Sequence, residues 1–295
     1  MTEPVRDRWA EWLLERRDGG DPVQQKASLE FLFPIRDRVL ENAGLSGGET
    51  LLDVGAGDGL IAFGALDIVG KNGRLIFGDI SQDLLDHSKK LAGDTGVLDR
   101  CRFLRASADD LGALEDESVD AVTTRSVLIY VEDKRRAFEE FYRVLKSGGR
   151  LSIAEPINSF TYPEPEHLFM GYDVTPVQDL ARKVRAVYER IQPPGDPMMD
   201  FDERDLADFA DAAGFSEVHL TLEISISRGN PSGILGGWDR FIRWTGNPKV
   251  PSLGEAMNEA LIPHELERLE SHLRPLVERA ERVSRDAFSY LWAVK

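Results

Sequence analysis

The chain contains little cysteine and no long apolar run. Its 295 residues include one cysteine, Cys101, which excludes an intrachain disulfide and a thiolate metal cluster and fits a reducing, intracellular environment. No uncharged segment reaches the ~20 residues that a membrane helix needs, and the N-terminus has no apolar run after its charges. We therefore expect a cytoplasmic protein with no membrane partner and no bound metal.

Basic residues are scarce relative to acidic ones. The chain has 36 Lys and Arg against 52 Asp and Glu, a formal net charge of −16 at pH 7, so its average field repels phosphate backbones. The densest basic group is Arg182, Lys183 and Arg185, and such a trio on a helix is typical of a solvated face. The composition disfavours a nucleic-acid partner and a protein or RNA substrate, so we expect a small-molecule substrate. A homodimer is left open.

Apolar segments of strand length alternate with helical patterns from residue 50 onward. The segments occupy residues 51–54, 75–77, 101–105, 121–124 and 151–154, with two more at 218–226 and 287–294. Strands separated by helices predict an α/β fold with a doubly wound, parallel sheet.

Helical patterns surround this alternation. A predicted helix over residues 4–17 has one apolar face, formed by Val5, Trp9, Trp12 and Leu13. A second helical stretch follows, which Pro34 is expected to kink or divide. Ser252 and Glu255 have the spacing of a capping box. The chain is thus divided into an N-terminal helical cover (1–47), a core (48–156), a lid-like insertion (157–200), segments that complete the sheet (201–226 and 286–295) and a helical insertion (227–285).

A glycine-rich loop follows the first strand in the segment LLDVGAGDGL. Gly55, Gly57 and Gly59 let the backbone approach a ligand closely at the carboxyl end of a strand, where a helix begins. Asp79 ends the next predicted strand, 22 positions after Gly57, where a carboxylate can accept hydrogen bonds from two ribose hydroxyls. The pattern predicts a site for a nucleoside-containing ligand.

Two common nucleotide loops do not match this segment. The dinucleotide fingerprint G-x-G-x-x-G needs glycine or alanine where this chain has Leu60. The run GAGDGLIAF also lacks the Gly-Lys-Ser/Thr ending of a triphosphate loop. An NAD-dependent oxidoreductase is therefore a weaker hypothesis.

Five sequence blocks, in this order, resemble those of the class I S-adenosylmethionine-dependent methyltransferases: LLDVGAGDGL, GDIS, ADDL, VDAVTTRSVLIYV and RVLKSGGRLSIAEP. They cover roughly residues 48–156. Their likeness is greatest to small-molecule methyltransferases, including the ubiquinone and menaquinone C-methyltransferases. The resemblance implies a mostly parallel seven-stranded sheet with an antiparallel last strand, S-adenosyl-L-methionine as cofactor and S-adenosyl-L-homocysteine as product.

The resemblance also implies which residues bind the cofactor. Asp53, Gly55, Ala56, Gly57 and Gly59 would surround its methionine part, Asp79 would bind the ribose, Ile80 would pack against adenine, and Ala108 with Asp109 would contact the adenine edge. Arg125 and Ser126 would lie beneath the sulfonium, open toward the substrate.

Structural roles compete with some of these assignments. Asp79 could cap the helix that begins near Ser81, Asp109 or Asp110 could cap the turn at Leu111, and Arg125 could simply pair with a carboxylate such as Glu155. A non-catalytic protein that binds S-adenosylmethionine, such as a scaffold, would keep the same cradle.

The sequence contains no obligatory catalytic signature. Methyl transfer from a sulfonium depends mainly on the placement of the two reactants, so a general base is needed only for a protonated acceptor. Candidates near the cleft are His167, Tyr130 and Glu155, followed by Tyr162 and Tyr172. The segment TTRSVL lacks the Asn/Asp-Pro-Pro-aromatic motif of enzymes that methylate a flipped base.

Overall fold

The computed structural model describes residues 6–19, 21–229 and 236–295. Val5, which the sequence places on the first helical face, lies outside these residues. The strands in the described part of the chain are β1 (Thr50–Val54), β2 (Arg74–Asp79), β3 (Cys101–Arg105), β4 (Val119–Arg125), β5 (Leu145–Pro156), β6 (Leu168–Phe169), β7 (Tyr172–Asp173), β8 (Glu217–Arg228) and β9 (Val283–Val294).

Seven of these strands form one sheet in the order β3-β2-β1-β4-β5-β9-β8. Strands β1 to β5 pair in parallel, and β9 runs antiparallel to both of its neighbours. The strand order reverses at β1, so a crevice opens between the carboxyl ends of β1 and β4, where ligands bind in open α/β sheets. The predicted doubly wound, mostly parallel seven-stranded sheet is confirmed.

The α-helices are α1 (Arg8–Glu11), α2 (Pro22–Ala43), α3 (Leu60–Gly64), α4 (Leu66–Val69), α5 (Gln82–Asp94), α6 (Lys134–Val144), α7 (Asn158–Thr161), α8 (Gln178–Ile191), α9 (Glu203–Ala213), α10 (Trp238–Arg243), α11 (Leu253–Ala260) and α12 (Pro263–Glu278). A π-helical turn, Trp12–Arg16, continues α1. The predicted capping box of Ser252 and Glu255 begins α11. Across the described ranges, no helix is long and apolar enough to cross a lipid bilayer.

Helix α2 differs from the prediction that Pro34 would kink or divide it. It runs for 22 residues with Pro34 inside. Pro34 lies on the exposed side of the helix, where water can bond the carbonyl that the missing N–H leaves free. On the opposite side Ile35 and Val39 are buried against the sheet, and this packing offsets the cost of an interior proline.

Two apolar cores cover the two faces of the sheet. One contains α6 and α9, with Phe138 and Leu206 among its buried residues. The other contains α2, α3 and α5, with Val39 and Ile61. The crevice at the carboxyl ends of the strands therefore stands on a scaffold that is packed on both sides.

The two predicted insertions share a third core. Phe169 and Val184 from the first insertion pack in one buried cluster with Trp238 and Leu269 from the second. A salt bridge of 2.5 Å between Lys183 and Glu265 also joins them. The two insertions thus form a single helical unit beside the sheet. Lys183, one residue of the basic trio, forms its salt bridge within this unit.

Candidate functional site

The glycine loop turns at the carboxyl end of β1. Gly55, Gly57 and Gly59 have φ angles of +66°, +56° and +86°, in the left-handed region that favours glycine. A Cβ atom at position 55 would lie 2.1 Å from Cγ2 of Val127, and one at position 59 would lie 2.4 Å from the ring of Phe63. Gly55 and Gly59 are therefore required by the packing of the loop itself.

Asp79 connects the end of β2 to this loop. Its carboxylate accepts hydrogen bonds from the amides of Gly57 and Ser81, both at 2.8 Å, and burial raises its pKa. The cap of α5 is provided separately by the Ser81 hydroxyl, which accepts from the amide of Leu84 at 3.1 Å. A carboxylate has about four acceptor positions, so Asp79 retains capacity for ligand hydroxyls.

Asp53 lies one residue before the end of β1 and is 2% exposed. Its carboxylate accepts from the hydroxyl of Thr123 at 2.9 Å and from the amide of Ala62 at 3.2 Å. Burial raises its pKa to about 7, against the lowering effect of these hydrogen bonds. This carboxyl group ties β1 to β4 and to α3, directly beneath the glycine loop.

The predicted adenine side of the site lies beyond β2 and β3. Ile80 is 44% exposed and directly follows the buried Asp79. Ala108 is buried, and the hydroxyl of Ser107 donates to the carboxylate of Asp109. Ile80 is thus the exposed apolar residue on this side, and a place for the Asp109 carboxylate near it stays a prediction from the sequence.

The turn at Leu111 is not capped by Asp109 or Asp110. The amide of Leu111 donates to the buried carboxylate of Glu140 at 2.8 Å, and Asp110 accepts instead from the amide of Gly112 at 3.2 Å. The sequence did not reveal the cap because Glu140 lies 29 residues away, on α6. Asp109 is left without the competing capping role.

Glu155 has a structural role at the end of β5. It is fully buried, and its carboxylate accepts from the amides of Val127 and Leu128 at 2.8 and 3.0 Å, and from that of Ile129 at 3.5 Å. Burial raises its pKa to about 7. Glu155 does not pair directly with Arg125, and its hydrogen bonds fix the turn Leu128–Tyr130 at the mouth of the crevice.

Residues 6–19 are the first part of the predicted N-terminal helical cover (1–47). This segment alone is called the N-terminal cover from this point, and it lies across the glycine loop. Cδ2 of Leu13 is 3.0 Å from where a Cβ at Gly57 would stand, and the ring of Trp9 meets that of Tyr130 edge to face at 4.9 Å. Burial raises the pKa of Tyr130 far above its ordinary value. The sequence predicts that Leu13 lies on an apolar helical face, but no pattern in it indicates that this face contacts the glycine loop.

The cover is also attached through its start and its middle. The Ser81 hydroxyl donates to Asp7 at 2.7 Å, and the Asp7 amide donates to Asp83 at 2.7 Å. Near the middle of the cover, the indole N–H of Trp12 donates to the carbonyl of Thr245 at 3.2 Å. The cover therefore connects the start of α5 to the helical unit.

The other candidate residues lie on the helical unit. His167 is exposed and lies in electrostatic reach of Asp173. Tyr172 is buried against Phe241, with ring centroids 5.3 Å apart. Tyr162 is 45% exposed, although burial of its hydroxyl raises its pKa to about 12. None of the contacts of His167 or Tyr172 in the described structure reaches the glycine loop, so their candidacy as bases stays a prediction.

Comparison with known proteins agrees with this geometry. Residues 52–153 match the family model of a methyltransferase domain. The ubiquinone/menaquinone biosynthesis C-methyltransferase UbiE of Marinomonas sp. is 32% identical over 134 residues, which are 45% of this chain and 51% of the relative. The chain thus spans about half the length of the curated relatives that it matches.

Solved structures show the same fold. A Bacillus halodurans protein described as a methyltransferase has a TM-score of 0.53 at 17% identity, covering 88% of this chain and 98% of its own. A chain in the complex of the Trm112 methyltransferase activator with a methyltransferase from Haloferax volcanii has a TM-score of 0.53 at 18% identity, covering 99% of both chains. The matched segment holds β1 to β5, the glycine loop and Asp79. Residues 52–153 are thus similar in sequence to a methyltransferase domain, and the sheet has the fold of the class I methyltransferases.

Proposed function

We propose that this protein transfers the methyl group of S-adenosylmethionine to a small organic acceptor. The observation that carries the proposal is the junction at Asp79. Its buried carboxylate holds the glycine loop through Gly57 and stands beside the exposed Ile80. This is the arrangement that a ligand with a ribose and an adenine would need at the carboxyl edge of a parallel sheet.

The residues of the crevice fit such a cofactor. Asp79 offers acceptor positions to ribose hydroxyls, Ile80 offers an apolar surface to the adenine, and Asp109 has no capping role that would occupy it. Asp53 supplies a buried carboxyl group near the methionine end, where an ammonium group favours its charged form. The loop glycines leave that end free of side chains of their own.

S-adenosylmethionine, when bound, supplies a methyl group activated by a sulfonium. The chain's own contribution is placement and the exclusion of water. Glu155 fixes the turn that carries Tyr130, and Tyr130 in turn packs against Trp9 of the N-terminal cover. The cover thereby closes the crevice on one side, while the helical unit stands next to it.

A small acceptor is favoured by charge and by the surroundings of the crevice. The formal net charge is −16, and the basic residues of α8 are engaged within the helical unit: Lys183 with Glu265 at 2.5 Å, and Arg185 with the carbonyl of Leu168 at 2.5 Å. A broad positive groove for nucleic acid is therefore not formed on that helix. The UbiE relatives are named as C-methyltransferases of quinone biosynthesis, so a carbon acceptor on a small aromatic compound is the first class to test.

Two measurements test the proposal. S-adenosylhomocysteine is titrated calorimetrically into the protein, with NAD as a parallel ligand, and methyl-labelled S-adenosylmethionine is then incubated with the protein and a metabolite extract. We expect binding of S-adenosylhomocysteine, no binding of NAD, and transfer of label to a small molecule.

The results separate the alternatives. Binding without transfer to any acceptor would favour a non-catalytic S-adenosylmethionine-binding scaffold. Binding of NAD without S-adenosylhomocysteine would favour an oxidoreductase and overturn the proposal. An Asp79→Ala variant run in parallel shows whether any transfer depends on the described site.

A further inference from the structure

Arg17, at the end of the N-terminal cover, is a poorly neutralised cation beside the glycine loop. Its nearest carboxylates are those of Asp58, 3.5 Å from Nη2, and Asp18, 3.6 Å from Nε. Charge-assisted hydrogen bonds between guanidinium and carboxylate are normally ~2.7 to 2.9 Å long. Its Nε is buried and has no hydrogen-bond partner, so the guanidinium has unused donor capacity.

Arg125 is a second cation near the loop, and in the described residues it has no ion pair. It ends β4, and the register pairs Val54 with Thr124, which places Arg125 level with Gly55. In the described residues no carboxylate lies within 4 Å of it, and its hydrogen bond is to the hydroxyl of Ser126 at 3.3 Å. Ser126 has a φ of +54°, a conformation that costs a non-glycine residue energy.

None of the surrounding carboxylates forms a close contact with either arginine: those nearest to Arg17 are 3.5 and 3.6 Å away, and in the described residues none is within 4 Å of Arg125. Arg125 lies within electrostatic reach of Asp58, Glu155 and Asp53 as well as of Arg17. Glu155 is occupied by backbone amides and Asp53 by Thr123 and Ala62. Asp58 is then shared by two guanidinium groups. A half-buried cation without a close carboxylate partner is costly, and a negatively charged ligand group near both arginines would reduce that cost.

We propose that Arg17 and Arg125 together form a carboxylate-binding site at the mouth of the glycine loop. Two guanidinium groups from different segments can each donate two parallel hydrogen bonds to a carboxylate. Because Arg17 belongs to the N-terminal cover, an occupied site would also hold the cover against the loop.

Two ligands could supply the carboxylate. One is the methionine part of the cofactor, and in that case the inference rests on the proposed function. The other is an acidic group on the methyl acceptor, which would enter from the side of Arg125. Both ligands would present a carboxylate to the two arginines. Compounds with and without an amino-acid part can distinguish the two sources.

The test compares Arg17→Gln and Arg125→Gln with Arg8→Gln. Arg8 is exposed on the same cover, so its variant has the same change in charge outside the site. Each protein is titrated with S-adenosylhomocysteine and with 5′-methylthioadenosine, which has the nucleoside and thioether but no amino-acid part. Benzoate is then titrated into the proteins saturated with S-adenosylhomocysteine.

If the cofactor supplies the carboxylate, both site variants bind S-adenosylhomocysteine ~10- to 100-fold more weakly and 5′-methylthioadenosine as the wild type does. If the acceptor supplies it, S-adenosylhomocysteine binding is unchanged, and benzoate binds the wild type and Arg8→Gln but neither site variant. Either result supports the site.

The inference is overturned if the site variants bind all three ligands as the wild type does, or if both nucleoside ligands weaken equally. Failure of the wild type to bind S-adenosylhomocysteine would instead overturn the proposed function. Thermal unfolding without ligand separates binding from folding: Arg125→Gln should keep or raise the midpoint, because it removes a cation that has no ion pair. Arg17→Lys, which keeps the charge but not the planar fork, should recover part of the affinity.

Discussion

The carboxylate of Asp79 accepts a hydrogen bond from the amide of Gly57 at 2.8 Å, so the end of β2 holds the loop that follows β1. The same carboxylate accepts from the amide of Ser81 at 2.8 Å. One side chain thus fixes two backbone segments that border the crevice, and it orders the site before any ligand arrives.

Removal of the Asp79 carboxylate should weaken cofactor binding more than it weakens the fold. Asp79→Ala deletes two ribose acceptors and frees the Gly57 amide, so affinity for S-adenosylhomocysteine should fall by about 1 to 3 kcal/mol. Calorimetric titration measures this loss. Asp67→Ala, at an exposed aspartate on α4, is the control, and equal affinity of the two variants would sink the ribose assignment.

A side chain at Gly57 should block the cradle. Gly57→Ala places a methyl group 3.0 Å from Leu13 at a φ of +56°, and we expect cofactor affinity to fall at least tenfold. Gly44→Ala has nearly the same φ, +54°, with nothing within 4 Å of the new atom, and it therefore carries the backbone strain alone. Titration with S-adenosylhomocysteine should detect no loss of affinity for Gly44→Ala. A similar loss of affinity in both variants would show that backbone strain, and not the space filled by the methyl group, weakens binding.

Stability should decrease from acidic to neutral pH through Asp53. Its folded-state pKa of about 7 lies above the ordinary value of 3.8, so the folded state binds the proton more tightly than the unfolded state. The resulting stabilisation is complete below about pH 4 and disappears as the pH rises through about 7, a total change on the order of 4 kcal/mol. Denaturant unfolding at pH 5 and pH 7.5 measures it.

The nearly isosteric Asp53→Asn variant serves as the comparison. An amide at this position does not titrate, so its unfolding free energy should change less between the two pH values than that of the wild type. Glu155, whose pKa is also raised to about 7, contributes to both proteins in the same direction. Equal pH dependence in the two proteins would contradict the buried ionisation of Asp53.

Glu155→Gln should damage the turn that carries Tyr130. The amide side chain has one oxygen where Glu155 uses two, so at least one of the amides of Leu128 and Ile129 loses its acceptor. We expect the free energy of unfolding to fall by about 1 to 3 kcal/mol, measured by urea denaturation. Glu132→Gln, at an exposed glutamate nearby, should change it by less than about 0.5 kcal/mol. If Glu155→Gln is as stable as the wild type, the structural role of Glu155 is contradicted, and its candidacy as a general base has to be tested.

The strand pattern and the glycine loop could be predicted from the sequence because both depend on local features. Apolar runs of strand length placed seven strands within six residues of their observed bounds, and the spacing of Gly55, Gly57 and Asp79 indicated the edge of the sheet. Helix α2 was predicted less well, since the apolar packing of Ile35 and Val39 outweighs the local effect of Pro34.

The sequence by itself determined the sheet, the cradle and the kind of ligand that the cradle suits, because these follow from periodicity and from residues close together along the chain. Only the tertiary structure decided that the two insertions share one core, that Glu140 and not Asp109 caps the turn at Leu111, and that Arg17 faces the glycine loop. These relationships join residues from 29 to more than 80 positions apart or depend on the path of the cover. Such contacts leave no local pattern, because they form only when separate elements pack around the same sheet.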